Sequence, residues 1–331
     1  MLNLLSLSTL SGWIFSRNLQ EIPDYTSPPL DIALAATPEK FRNDTYLDLI
    51  REAAGSKNCN DNPAMENCQI LFTPSTSFSP ESSKIGVIFY GGALVDPRSY
   101  SVLAETLSNR YGFAVSIPIF PNDIAYEGCN GTNRISLAIE AFPEVEKWVL
   151  AGHSLGGVGV QLDFRLNVEK NNSKIGGLVL IASEFREDIC GKNDFSHTHF
   201  PMAGVYASLD NIINSTNVES GKKFFPENDT LYVDIIGGNH GYFGYYNYSL
   251  GLPLLGQIDG NATIPRSVQH DLTTGAIAHV AARMGLPLPS LLMTDTTTRE
   301  AASPASIDYS RGFSSNSIII LTSIVSLFIW M

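Results

Sequence analysis

Between residues 84 and 284 the apolar positions come in short blocks whose period switches between that of a strand and that of a helix. Lys84–Tyr90 is a continuous apolar run with β-branched and aromatic residues, ended by Gly91-Gly92, the pattern of a strand buried on both faces. Pro97–Tyr111 follows with Tyr100, Leu103 and Leu107 at helical spacing. Phe113–Ile119 reads as a strand and Arg134–Phe142 as a short helix. Glu146–Gly152 is another strand, with a helix over Leu155–Val168 behind it. Ile175–Ser183, Pro201–Ser208 and Leu231–Ile236 read as strands, Asn211–Lys222 as a helix and Ser267–Met284 as the closing helix. Such alternation predicts an α/β architecture: a mostly parallel central sheet with helices on both faces. The short stretch between Ser183 and Pro201 leaves no room for a large lid. The chain divides into an apolar start at 1–16, a polar, Pro-bearing extension at 17–68 and the α/β body at 69–286. A linker at 287–311 and an apolar tail at 312–331 follow.

The chemistry of the body centres on Gly152-His-Ser154-Leu-Gly156, followed by Gly157. This Gly-X-Ser-X-Gly pattern falls where a strand ends and a helix begins. A sharp turn there lifts the serine hydroxyl above the sheet edge, and the helix N-terminus favours developing negative charge. After Trp148-Val-Leu-Ala the segment resembles the nucleophile elbow of α/β-hydrolases. Val87–Tyr100, with its Gly-Gly loop, is similar to the fold-5 family, which resembles dienelactone hydrolases. So is Ile235-Ile-Gly-Gly-Asn-His240-Gly-Tyr-Phe-Gly-Tyr, with Asp259-Gly and Gln269 further on. The resemblance spans roughly 84–284 and implies an α/β-hydrolase fold with a small lid or none.

It also implies a Ser-His-Asp triad. Ser154 is the nucleophile. Its base is His240, which follows the last strand in a Gly-rich loop; His270, set in a helix, is the rival. His153 lies inside the elbow and is expected to point away from the reacting face. The acid must lie between Ser154 and His240 in the chain. Asp210, just past the strand at 201–208, occupies the family's place for it; Glu184 is a rival, and a helix cap is the plain alternative for Asp210. Oxyanion donors are expected from the backbone N–H of Leu155 and of Gly92 or Ala93. The aromatic run from Tyr242 to Tyr248 either lines an acyl pocket or packs in the core. His197-Thr-His199 suggests a metal, but no third ligand stands at a useful spacing, so neither metal nor cofactor is expected. The expected reaction is hydrolysis of an ester-type acyl bond in a small-molecule or lipid substrate. The alternatives are an acyltransferase with the same triad and a non-catalytic surface binding module.

Composition adds compartment. The 331 residues are 44% hydrophobic, enough for a sizeable core, and carry a net charge of −12 with no basic run, which argues against a nucleic-acid partner. Four cysteines allow three pairings. Cys59 with Cys68 is the local one, leaving Cys129 with Cys190. Asn-X-Ser/Thr occurs at Asn43, Asn130, Asn171, Asn214, Asn228, Asn247 and Asn261. Residues 1–16 have the apolar core of a secretory signal, without its basic start. After Arg311 no charge appears. Small residues, a polar spacer and an apolar tail have the layout of a GPI-anchor signal, and the tail is also long enough for a membrane anchor. A secretory route to the cell surface or exterior is expected.

Overall fold

Seven short strands form one sheet in the computed structural model, which describes residues 26–55, 59, 68–74, 84–248 and 256–286. They are β1 (Gln69–Phe72), β2 (Ile85–Tyr90), β3 (Ala114–Pro118), β4 (Lys147–His153), β5 (Ile175–Ile181), β6 (Met202–Ala207) and β7 (Thr230–Ile235). Their spatial order is β1-β3-β2-β4-β5-β6-β7, antiparallel only between β1 and β3. The central strands are buried throughout, as continuous apolar runs require of a sheet covered on both faces.

The period of two divides each strand between two cores. Val87, Phe89, Val149, Ala151, Val179 and Ile181 face one side. There they meet helix α3 (Ser101–Tyr111) and helix α7 (Arg266–Ala282), through residues such as Leu103, Leu107, Ile277 and Val280. Ile88, Tyr90, Trp148, Leu150, Leu178 and Leu180 face the other side. They meet helix α4 (Arg134–Ala141) and helix α5 (Leu155–Glu169) through Ile135, Ala138, Val160 and Phe164.

The polar 17–68 stretch carries more structure than its composition suggests. Helix α1 (Asp31–Ala36) and helix α2 (Asp44–Gly55) lie within it, and Phe41, Leu47, Ile50 and Ala54 join the first core. The four-residue β1 carries no sequence signal of its own. The helix expected at 97–111 begins as a 3₁₀ turn, Pro97–Tyr100. The helix expected at 211–222 shrinks to α6 (Ser215–Gly221), because side chains satisfy the backbone ahead of it. Asp210 accepts from Ile212 and Ile213 N–H, and Asn214 caps α6 by accepting from Thr216 and Asn217 N–H. The apolar start and tail, residues 1–16 and 312–331, lie outside the described residues, as does the linker.

Strand register brings the loops of interest to one edge. Tyr90 pairs with Gly152, His153 with Ile181, and Ala207 with Ile235. The segments after β2, β4, β6 and β7 therefore emerge at the same level.

Candidate active site

Ser154 sits between β4 and α5 at φ 54°, ψ −122°, a conformation that residues with a side chain seldom adopt. The neighbourhood enforces it. Ser154 N–H donates to the Ile181 carbonyl at 2.9 Å, and Gly157 N–H donates to the Ser154 carbonyl at 3.0 Å. A Cβ on Gly156 would strike the carbonyl oxygens of Tyr90 and Gly91, and one on Gly152 would strike the Gly156 backbone. The glycines are needed here because three backbone segments meet with no space between them.

Asp210 and His240 meet in the loops after β6 and β7. His240 Nδ1 lies 2.8 Å from Asp210 Oδ2, with both side chains almost wholly buried. The other carboxylate oxygen of Asp210 accepts from Ile212 N–H at 2.8 Å and Ile213 N–H at 3.2 Å. Capping the turn and orienting the histidine are thus one arrangement, not alternatives. Burial opposes a charged imidazole. The Asp210 charge, its hydrogen bond and the nearby Asp259 charge outweigh that and hold the His240 pKa above its ordinary value. With Nδ1 engaged, Nε2 is the nitrogen left for proton transfer.

His153 does not point away from this centre. Its ring lies 4.7 Å from that of His240. Gly92 N–H donates to Tyr100 Oη at 2.8 Å, and Tyr100 Oη lies 2.9 Å from His153 Nδ1. Oη thus bridges the Gly92 N–H and the His153 ring. Burial, reinforced by the charge on His240, pushes the His153 pKa well down.

This chain of bonds corrects one expectation. The Gly92 N–H is used by Tyr100 and is not free for an oxyanion. Among the described residues no carbonyl accepts the Ala93 N–H, and Leu155 N–H, first in α5, lacks an acceptor within the helix. Leu94 next to Ala93 holds φ 56°, so the loop exit is itself strained.

A family model described as the alpha/beta hydrolase family matches residues 86–271. The chain belongs to that family. A search of curated proteins finds no match. Several solved structures are similar at low identity. Esterase 2 of Thermogutta terrifontis, phosphonylated by cyclosarin, is 12% identical with a TM-score of 0.45, covering 64% of this chain and 88% of that one. A putative hydrolase from Agrobacterium vitis S4 is 14% identical with a TM-score of 0.43, covering 64% and 92%. Est1E from Butyrivibrio proteoclasticus, with ferulic acid bound, is 14% identical with a TM-score of 0.40, covering 63% and 95%.

The remaining candidates of this alpha/beta hydrolase lie elsewhere or do other work. Glu184 is buried but accepts from Asn214 N–H and Asn217 Nδ2 at 3.0 Å each and pairs with Arg186, holding the start of α6. His270 is buried in α7 against Tyr245, 4.6 Å between ring centres, and burial lowers its pKa to about 3. His197 and His199 are exposed. Phe243, Tyr245 and Tyr246 are buried. Phe243 packs 5.5 Å from His153 and Tyr245 packs against His270, ring centre to ring centre. Leu94, Ile124, Leu155, Val158, Leu162 and Ile189 form a separate apolar cluster beside the elbow.

Cys59 pairs with Cys68 and Cys129 with Cys190. The second bridge ties the segment after β3 to the segment after β5. Of the seven Asn-X-Ser/Thr asparagines, Asn43, Asn130, Asn171, Asn228, Asn247 and Asn261 are exposed, and Asn214, the α6 cap, is half-buried. Two residues that hold the site escape sequence reasoning. Tyr100 reads as an apolar helix position, and Asp259 stands out only through the family resemblance.

Proposed function

We propose that the protein is a serine hydrolase that cleaves ester-type acyl bonds through Ser154, His240 and Asp210. The buried Asp210–His240 pair at 2.8 Å, at the same sheet edge as a serine held in a strained strand-to-helix turn, carries this reading. The Ser154 hydroxyl attacks the acyl carbonyl and gives its proton to His240 Nε2. Asp210 keeps the ring oriented and stabilises the imidazolium. The Ala93 and Leu155 N–H groups, without backbone acceptors among the described residues, are the donors for the developing oxyanion. His240 then protonates the leaving alcohol, and a water molecule, deprotonated by the same ring, releases the acid.

The test is a fluorophosphonate probe followed by a panel of esters of graded acyl length. Wild type is labelled and turns over esters, and Ser154→Ala does neither. An unlabelled wild type with an intact circular dichroism spectrum refutes the assignment. Acyl transfer to an added alcohol in preference to water makes the chain an acyltransferase.

We also infer a secretory route and surface attachment. Two disulfides, six exposed Asn-X-Ser/Thr asparagines and the apolar tail of the sequence support it. Glycosidase treatment is expected to lower the mass, and phosphatidylinositol-specific phospholipase to release the protein from membranes. A bare chain recovered from the cytosol would sink this inference.

A further inference from the structure

Asp259 lies 19 residues beyond His240, outside any strand or helix and just ahead of α7. Its carboxylate reaches four backbone N–H groups: Gly241 at 2.8 Å, Gly260 at 2.8 Å, His240 at 3.3 Å and Asn211 at 3.4 Å. Two of these belong to the turn that carries the base. A third belongs to the residue after Asp210. One side chain thus joins the loop of the acid to the loop of the base. Gln269 of α7 grips the same turn from the other flank. Its Oε1 accepts from Asn239 N–H at 3.1 Å, and its Nε2 donates to the Asn239 carbonyl at 2.7 Å.

Among the described residues no lysine or arginine forms an ion pair with Asp259. Burial raises its pKa ahead of the opposing pull of His240. A half-buried carboxylate without a cation is an expensive way to cap a turn, since a neutral acceptor would serve packing alone. The group that gains from the charge is the imidazole of His240, which turns cationic when it takes the Ser154 proton.

We propose that Asp259 is a positioning residue for His240. It fixes the His240–Gly241 turn against the Asp210 loop and sets a second carboxylate on the backbone of the base. The link to turnover rests on the serine-hydrolase reading; the effect on the ring does not. Four other titratable groups bear on the site: Asp210 and His153 beside His240, Tyr100 bonded to His153, and Tyr246 within the field of Asp210 and Asp259. Asp210 is hydrogen-bonded to the His240 ring. The His153 ring is neutral. The Tyr246 and Tyr100 phenols are kept protonated by burial.

The experiment titrates the His240 imidazole by proton–nitrogen correlation spectra of the full chain, assigned with His240→Gln. Wild type is compared with Asp259→Asn, which keeps the volume and one acceptor oxygen, and with Asp259→Glu, which keeps the charge. Asp259→Asn is expected to lower the His240 pKa by about one unit, the low end for losing one nearby opposite charge. The acidic limb of fluorophosphonate labelling should move with it. Asp259→Glu should restore most of the shift. A folded Asp259→Asn whose His240 titrates as in wild type overturns the proposal. So does failure of both variants to fold, which would make Asp259 a purely structural anchor. A wild type that resists the probe sinks the serine-hydrolase reading, while the ring titration still decides the role of Asp259.

Discussion

Asp123 gives the structure a pH dependence whose sign follows from burial. Its side chain is almost fully covered. It accepts from Thr26 Oγ1 at 2.8 Å and from Arg51 at 2.9 and 3.1 Å. Arg51 is shared with Asp96, which also holds Arg98 at 2.7 Å. Burial pushes the Asp123 pKa up, the Arg51 charge pulls it down and the Asp96 charge raises it again. The result moves from 3.8 to about 6. The folded state therefore binds a proton more tightly than the unfolded chain does. That contribution to stability is present below pH 3.8 and is lost as pH rises through about 6. At 1.36 kcal/mol per pH unit the full span is about 3 kcal/mol, most of which falls between pH 4 and pH 7.5. The perturbation is Asp123→Asn, which cannot titrate. Urea unfolding of both proteins at both pH values cancels the titrating groups that are not coupled to Asp123. The stability of wild type relative to the variant should drop by about 2 to 3 kcal/mol on going from pH 4 to pH 7.5. A difference constant to within about 0.5 kcal/mol refutes the reasoning. A difference of the opposite sign would show that pairing with Arg51 outweighs burial.

Three further outcomes are expected. Tyr100→Phe strands the Gly92 N–H and His153 Nδ1 and should lower unfolding stability by about 2–4 kcal/mol; a loss below about 0.5 kcal/mol in urea melts argues against the bond chain. Gly156→Ala forces a methyl group onto the carbonyls of Tyr90 and Gly91. Fluorophosphonate labelling of soluble protein should fall at least about tenfold, and unchanged labelling would contradict the close approach of β2 to the elbow. The Cys129–Cys190 bridge closes a loop 61 residues long. Its removal by Cys129→Ala with Cys190→Ala should cost about 4 kcal/mol on chain-entropy grounds, and a melting temperature within a degree of wild type would reject that account.

The elements legible in the sequence are those whose burial is uniform. β2, β4 and β5 run through the middle of the sheet, so every position is apolar and the run announces itself. β1 pairs along one edge only and spans four residues, too short for a period. Helices α1 and α2 hide in a polar stretch because only one face of each meets the core, with Phe41, Leu47 and Ile50 spread among exposed charges. The Ser154 elbow was legible because its glycines, strand and helix are contiguous. Of the two loop donors the sequence offers, Gly92 and Ala93, nothing in the sequence shows that the first is already bonded. What consumes it is the hydroxyl of Tyr100, whose spacing gives the sequence reader only its apolar ring.

That limit extends to the N-terminal segment. Ser27 N–H donates to the Leu94 carbonyl at 2.7 Å, and Asp96 N–H donates back to the Ser27 carbonyl at 3.1 Å. Three residues on, Leu30 N–H donates to the Tyr245 carbonyl at 2.8 Å, and Tyr245 N–H donates to Ser99 at 2.7 Å. Residues 27–30 therefore run between the loop that offers the Ala93 N–H and the segment after His240, bonded to both. Neither loop belongs to a strand or long helix, so each needs outside partners for its backbone groups. A stretch with no motif of its own supplies them. The spacing between the expected oxyanion donors and the base thus depends on residues that composition alone assigns to an extension.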